Sequence, residues 1–438
     1  MRVFRNCLFS LAMTIRNSNR REDCSHRASL KSICPSTQSD IKDTKPVNDT
    51  RRKALFAACV AHVLHDGYTD QLYALLPVWQ SEFGLSYAGL AVVRALYYDT
   101  MGGLQVPGDR LIARLSSRVA LALATFVAAT GYLVMALPFG FPSLCIGLII
   151  AGIGSSVQHP RASLLVTNTY GQASRGPLGI YNFAGDLGKA AFPAAVALLL
   201  PIFAWRPVVA IMSLIGLSVA VVLLALVPRQ PFIASAADKF AAESRNGRGF
   251  GLLFIIGALD TSTRMGYLLF LPFVLHARGG AGAVVGLGLA LLFIGGALGK
   301  AACGWLGQHL GVAWSVIVTE AATALLMIAT LILPLAPMLI VLPFLGIVLN
   351  GTSSVLYATV PDLAPKGDIG RGFALFYTGV IGAGGLAPIA YGMIADHSNR
   401  TVGIVAAALT AALTVPLILA LRPILENKRS ISAEQRQP

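Results

Sequence analysis

Apolar stretches long enough to cross a bilayer follow one another from Ala54 to Leu421, broken by short polar turns and one longer polar linker. About 20 residues of helix span the roughly 30 Å of hydrocarbon. The pattern predicts spans at 54–79, 86–111, 118–138, 142–168, 174–202 and 205–227. A polar linker at 228–249 follows, then spans at 250–276, 283–307, 313–335, 337–362, 368–393 and 400–421. Lipid offers a backbone no hydrogen-bond partner, so each span must satisfy its own amides, as a helix does. The long alternating strands of a barrel are absent from the pattern. The expected fold is all-α: a polytopic membrane protein with twelve transmembrane helices in two six-helix bundles, 54–227 and 250–421. The terminal segments 1–53 and 422–438 read as cytoplasmic tails, the first disordered.

Composition agrees with that pattern. Of the 438 residues, 55% are hydrophobic and 12% charged, about half the charged share of a soluble domain, and mean hydropathy is +0.69. The net charge of +14 is a topological signal, not a nucleic-acid face: 12 of the 34 Lys and Arg lie in residues 1–53. With both termini inside, eleven loop residues, among them Arg110, Arg114, Arg161, Arg175, Lys366 and Arg371, fall on the cytoplasmic side. Only Arg206, Arg278 and Arg400 fall outside. Basic residues resist translocation, so this orientation is the expected one. The six cysteines contain no C-x-x-C pair, and neither a disulfide framework nor a zinc site is indicated.

The two halves resemble each other. DGYTDQLYALLP (66–77) parallels DTSTRMGYLLFLP (260–272), and SSV recurs at 155–157 and 353–355. Arg175-Gly176, Tyr181 and Pro193 find counterparts at Arg371-Gly372, Tyr377 and Pro388. All offsets lie between 194 and 198 residues. Parallel repeats of this kind form transporters that hold a solute between the halves near mid-membrane.

Charges inside the spans are costly and call for a partner or a cavity. His62, His65, Asp66 and Asp70 fall at i, i+3, i+4 and i+8, a stripe about 140° wide at 100° per residue. Arg94 and Asp99 lie in the second span, Asp186 and Lys189 in the fifth, Asp260 and Arg264 in the seventh; Lys300 and Glu320 read as isolated charges. Asp186/Lys189 and Asp260/Arg264 are at helical-pair spacing. Asp66 is the candidate coupling carboxylate. Arg94, Lys189 and Arg264 suit an anionic group. GIGSSVQHPRAS (152–163) sets small residues before His159-Pro160. The proline is expected to end or bend the fourth span, with Arg161 marking its cytosolic end. Two His and two Asp on one stripe also suit a transition metal, though no resident metal is assigned; the H-x4-D spacing of His65 and Asp70 matches a membrane acyltransferase pattern that nothing else accompanies.

GIGSSVQHPRAS and HVLHDGYTDQLYALLPVWQSEFGLS (62–86) are similar to the corresponding stretches of the fosmidomycin resistance protein family within the major facilitator superfamily. The loop PGDRLIARLSSR carries Gly108, Asp109, Arg110 and Arg114 of that superfamily's gating motif. The resemblance implies a secondary transporter of the cytoplasmic membrane that exports a small polar or anionic compound against protons by alternating access. It also implies no cofactor, no enzymatic activity and a monomer in the bilayer. A proton-coupled uptake symporter for an organic anion is the alternative within that class; a non-transporting membrane sensor is the alternative outside it.

Overall fold

The computed structural model describes residues 44–228, 247–364 and 369–434. The expectations for residues 1–43, most of the linker and the last four residues lie outside them. From Thr50 onward the described residues form one compact unit. Its first half comprises α1 (Thr44–Phe83), α2 (Tyr87–Gly103), the short α3 (Gln105–Leu111), α4 (Ser117–Ala136), α5 (Phe141–Tyr170), α6 (Arg175–Leu199) and α7 (Trp205–Leu226). The second comprises α8 (Gly247–Ala277), α9 (Gly282–His309), α10 (Gly311–Ile332), α11 (Leu335–Leu363), α12 (Ile369–His397) and α13 (Arg400–Glu434). Apart from α3 these are the twelve expected spans.

Four features differ from the sequence pattern. The helix of the first span starts at Thr44 inside the expected tail, and α13 runs past Leu421 to Glu434, because polar residues continue a helix once its buried part is formed. The second span breaks at Leu104, after Gly102-Gly103, and resumes as α3. His159-Pro160 does not end the fourth span. The helix carries through to Tyr170 and stops at Gly171, whose φ of 57° suits glycine.

Helix packing repeats between the halves. In the first, α5 packs on α2 and α4, and α4 on α7; in the second, α11 packs on α9 and α10, and α10 on α13. The seams between the halves are likewise equivalent, α6 against α9 and α12 against α2. Among the described residues nine stretches are apolar and long enough to cross a membrane, one of them covering both α5 and α6. The two spans outside that set, α1 and α2, are those carrying His62, His65, Asp66, Asp70, Arg94 and Asp99. Large apolar side chains such as Leu325, Ile332, Ile340 and Leu386 point outward from the packed helices, as a lipid-facing surface requires.

One end of the assembly is sealed between the halves. Asp396 at the end of α12 accepts hydrogen bonds from the Tyr87 and Ala88 amides, at 2.8 and 3.0 Å. It thereby caps amides at the start of α2 that have no partner within the helix, where the helix dipole favours a carboxylate. The Tyr87 ring meets Phe270 and Phe273 of α8 edge-on at 5.4 and 5.2 Å. The first turn of α9 rests against Ala197 and Pro201.

Candidate central cavity

A cavity of about 440 Å³ lies between the halves, lined from α1, α2, α3, α5 and α6 on one side and α8, α9, α11 and α12 on the other. Its lining includes two repeat counterparts, Tyr181 and Tyr377. Close approach of α1 and α6 depends on glycine. A Cβ on Gly188 would stand 2.0 Å from the Val63 carbonyl oxygen, and one on Gly185 would strike Asp66 and His62.

That approach assembles a charge cluster around Asp66. Its Oδ2 lies 3.2 Å from His62 Nε2 and 3.3 Å from Lys189 Nζ, and its Oδ1 lies 3.5 Å from His159 Nε2. His62 stacks on the Tyr181 ring at 4.0 Å, and its Nδ1 donates to the Tyr181 carbonyl at 2.8 Å. Lys189 also reaches Asp186, at 3.7 Å. The helix-spaced pair Asp186/Lys189 is therefore a contact, but not the main one. Lys300 of α9 donates to both Asp186 oxygens, at 2.7 and 2.8 Å. This ion pair crosses from one half to the other, so Lys300 is not isolated.

Asp70 faces the cavity and is 6% exposed, with no ion-pair partner among the described residues. Arg264 enters the cavity from α8. It is not in ion-pair contact with Asp260, one helical turn away, contrary to the spacing argument. Asp260 is instead turned behind the cavity wall toward Glu320 of α10.

Three further sequence candidates lie outside the lining. His65 spends both ring nitrogens in the first half, on Ser155 Oγ at 2.9 Å and Thr125 Oγ1 at 3.1 Å. Arg94 is buried between the Tyr73 and Tyr98 rings, 5.0 and 4.5 Å from their centres. It donates across the seam to Met265 Sδ and the Gly384 carbonyl. Asp99 packs against Gly385 of α12. The stripe on α1 is thus divided: His62, Asp66 and Asp70 meet the cavity, while His65 binds α4 and α5.

Of the loop motif, Asp109 binds Arg161, whose Nε donates to its carboxylate at 2.5 Å and whose NH2 donates to its carbonyl at 2.9 Å. The Arg161 side chain is only 2% exposed, so this arginine joins α3 to α5 instead of marking a loop. Gly108 lies against Ser156, whereas Arg110 and Arg114 are exposed.

A family model described as Major Facilitator Superfamily matches residues 56–249 and 253–438. The chain is 24% identical over 375 residues to the fosmidomycin resistance protein of Escherichia coli (strain K12), covering 79% of this chain and 87% of that one. It is also 24% identical over 384 residues to the hexuronate transporter of Bacillus subtilis (strain 168), covering 81% and 89%. Its fold matches the crystal structure of a bacterial homolog of the human lysosomal transporter Spinster in an inward-facing, occupied conformation. That match has a TM-score of 0.70 at 16% identity, over 86% of this chain and 98% of that one. The chain belongs to the Major Facilitator Superfamily, as a multi-pass membrane transporter and not an enzyme.

Proposed function

We propose that the protein is a secondary carrier that moves a small anionic compound across the cytoplasmic membrane by alternating access, as a proton-coupled exporter. The observation that carries this reading is the convergence of Lys189, Lys300 and Arg264, from both halves, on one cavity. An ammonium or guanidinium that gives up a protein carboxylate for a solute anion keeps its charge compensated throughout. A solute drawing Lys300 away from Asp186 would loosen the one ion pair found between the halves among the described residues. With both termini cytoplasmic, the seal at Tyr87, Phe273 and Asp396 lies outside, and the cavity faces inward. Relatives named for hexuronate and L-galactonate support an organic anion as solute and keep uptake as the second reading.

We assign the coupling role to Asp70. Asp66 is held by Lys189 and two histidines, and Asp186 by two lysines. Asp70 faces the cavity with Lys189, Asp66, Arg94 and Arg264 around it but none in ion-pair contact, which leaves it able to take and release a proton as the solute moves. Accumulation of labelled organic anions in cells lacking the protein, with and without a proton gradient, tests the direction. Higher accumulation than in the parent strain is expected for an exporter, lower accumulation identifies uptake, and no difference across the panel would refute transport of this class. In vesicles, Asp70→Asn is expected to abolish the dependence of transport on the proton gradient while solute binding persists. Coupling retained in that variant would rule Asp70 out.

A further inference from the structure

His62 and Asp66 on α1 and His159 on α5 bring two imidazole nitrogens and a carboxylate to one point of the cavity wall, all ligand atoms lying within 4.8 Å of one another. We propose that these three side chains form a binding site for a divalent transition-metal ion, entered from the cavity. The proposal goes beyond the carrier reading and does not depend on the direction of transport.

The donor set and spacing both suit such an ion. Imidazole and carboxylate are preferred ligands of zinc and its neighbours. Ligands placed about 2.0–2.2 Å from a tetrahedral zinc stand roughly 3.3–3.5 Å apart. His62 Nε2 lies 3.2 Å from Asp66 Oδ2 and His159 Nε2 lies 3.5 Å from the other oxygen, Oδ1, so each imidazole already stands about that far from the carboxylate. The two rings are centred 5.1 Å apart, edge to face, and all three ligand atoms lie within 4.8 Å of one another, so loading asks for a small inward shift of the imidazoles and a turn of the carboxylate.

The surroundings prepare the ligands. A carbonyl oxygen only accepts, so the 2.8 Å contact with Tyr181 fixes the proton on His62 Nδ1 and leaves Nε2 to offer its lone pair. Metal-binding histidines are oriented by such a bond from the other ring nitrogen. Asp66 and His159 both line the cavity, which gives an ion a path in and leaves an open coordination position facing the solute. Lys189 is the competitor for Asp66, and it has an alternative partner in Asp186, 3.7 Å away. The site is not the stripe suggested by helical spacing. His65 has both nitrogens engaged on α4 and α5, and the third ligand comes from α5.

The test is zinc binding to the purified full-length protein in lipid nanodiscs, followed by calorimetry and by thermal unfolding. One additional ion per chain is expected relative to His159→Ala, with affinity reduced at least about tenfold by that change. Zinc should raise the unfolding temperature of the wild type and not that of the variant, and His309→Ala, on an exposed helix end, should change neither. The His159 side chain is 30% exposed, and its replacement is expected to leave the fold intact; His159→Gln serves as the second variant. No zinc bound by the folded wild type, or binding undiminished in a folded His159 variant, would overturn the site. Neither result bears on transport, which is measured separately.

Discussion

A Lys300→Met variant is expected to reach the membrane and to transport nothing above background. The substitution removes a cation from the central cavity and breaks the ion pair that joins the two halves. It leaves Asp186, 5% exposed, with Lys189 alone at 3.7 Å. Breaking a fully buried pair costs roughly 3–5 kcal/mol. Because Lys300 is 37% exposed and Lys189 remains, a loss of about 2 kcal/mol is expected here. Combining Lys300→Met with Asp186→Asn removes the carboxylate left with only its longer contact to Lys189, and stability measured by denaturant unfolding in detergent should largely return. Transport should not, because the double variant still lacks the cation. Normal transport by Lys300→Met would remove Lys300 from the site. Recovery of transport in the double variant would reduce the pair to a structural tie.

The second large effect is expected at Gly188. The Val63 carbonyl is backbone and cannot rotate away from a Cβ placed 2.0 Å from it, so Gly188→Leu must force α1 and α6 apart. Overpacking a side-chain core typically costs about 1–3 kcal/mol. Here the strain falls on two main chains and also separates Lys189 from Asp66. The variant is expected to give no monodisperse peak on size-exclusion chromatography in detergent. Gly179→Leu, on the same helix but with nothing within 4 Å of the added carbon, is the matched control and should behave as wild type. Equal yields from the two variants would show that helix contact at Gly188 is not limiting.

The fold was legible in the chain because a bilayer imposes its length and polarity on every span, and because gene-level duplication left Asp66/Asp260 and Tyr181/Tyr377 in register. Partner choice among the charges was less legible. Helical spacing joins Asp186 to Lys189 and Asp260 to Arg264, but the first aspartate finds its nearer cation 114 residues away on α9, and the second turns toward α10. Sequence periodicity describes one helix at a time, whereas these contacts are set by seams between helices. The same limit divided the α1 stripe: an arc that wide straddles two neighbours, so His65 faces α4 and α5 while Asp70 faces the cavity. His159 and Arg161 lie two residues apart on one helix. They differ in role because one turns to Asp66 and the other to Asp109.

The proposed alternating access requires the sealed end between the halves to open. A Cβ placed on Gly282 would lie 3.6 Å from Pro201 Cγ across the α6–α9 seam, which makes these two positions neighbours suited to a cysteine pair, whose bridge needs Cβ atoms about 3.5–4.5 Å apart. The decisive measurement is transport by a Pro201→Cys/Gly282→Cys variant in a background without native cysteines, before and after oxidation. Transport is expected to stop when the disulfide forms and to return on reduction. Transport continuing at the uncrosslinked rate, with the bridge shown to be complete, would contradict a carrier that works by parting its two halves.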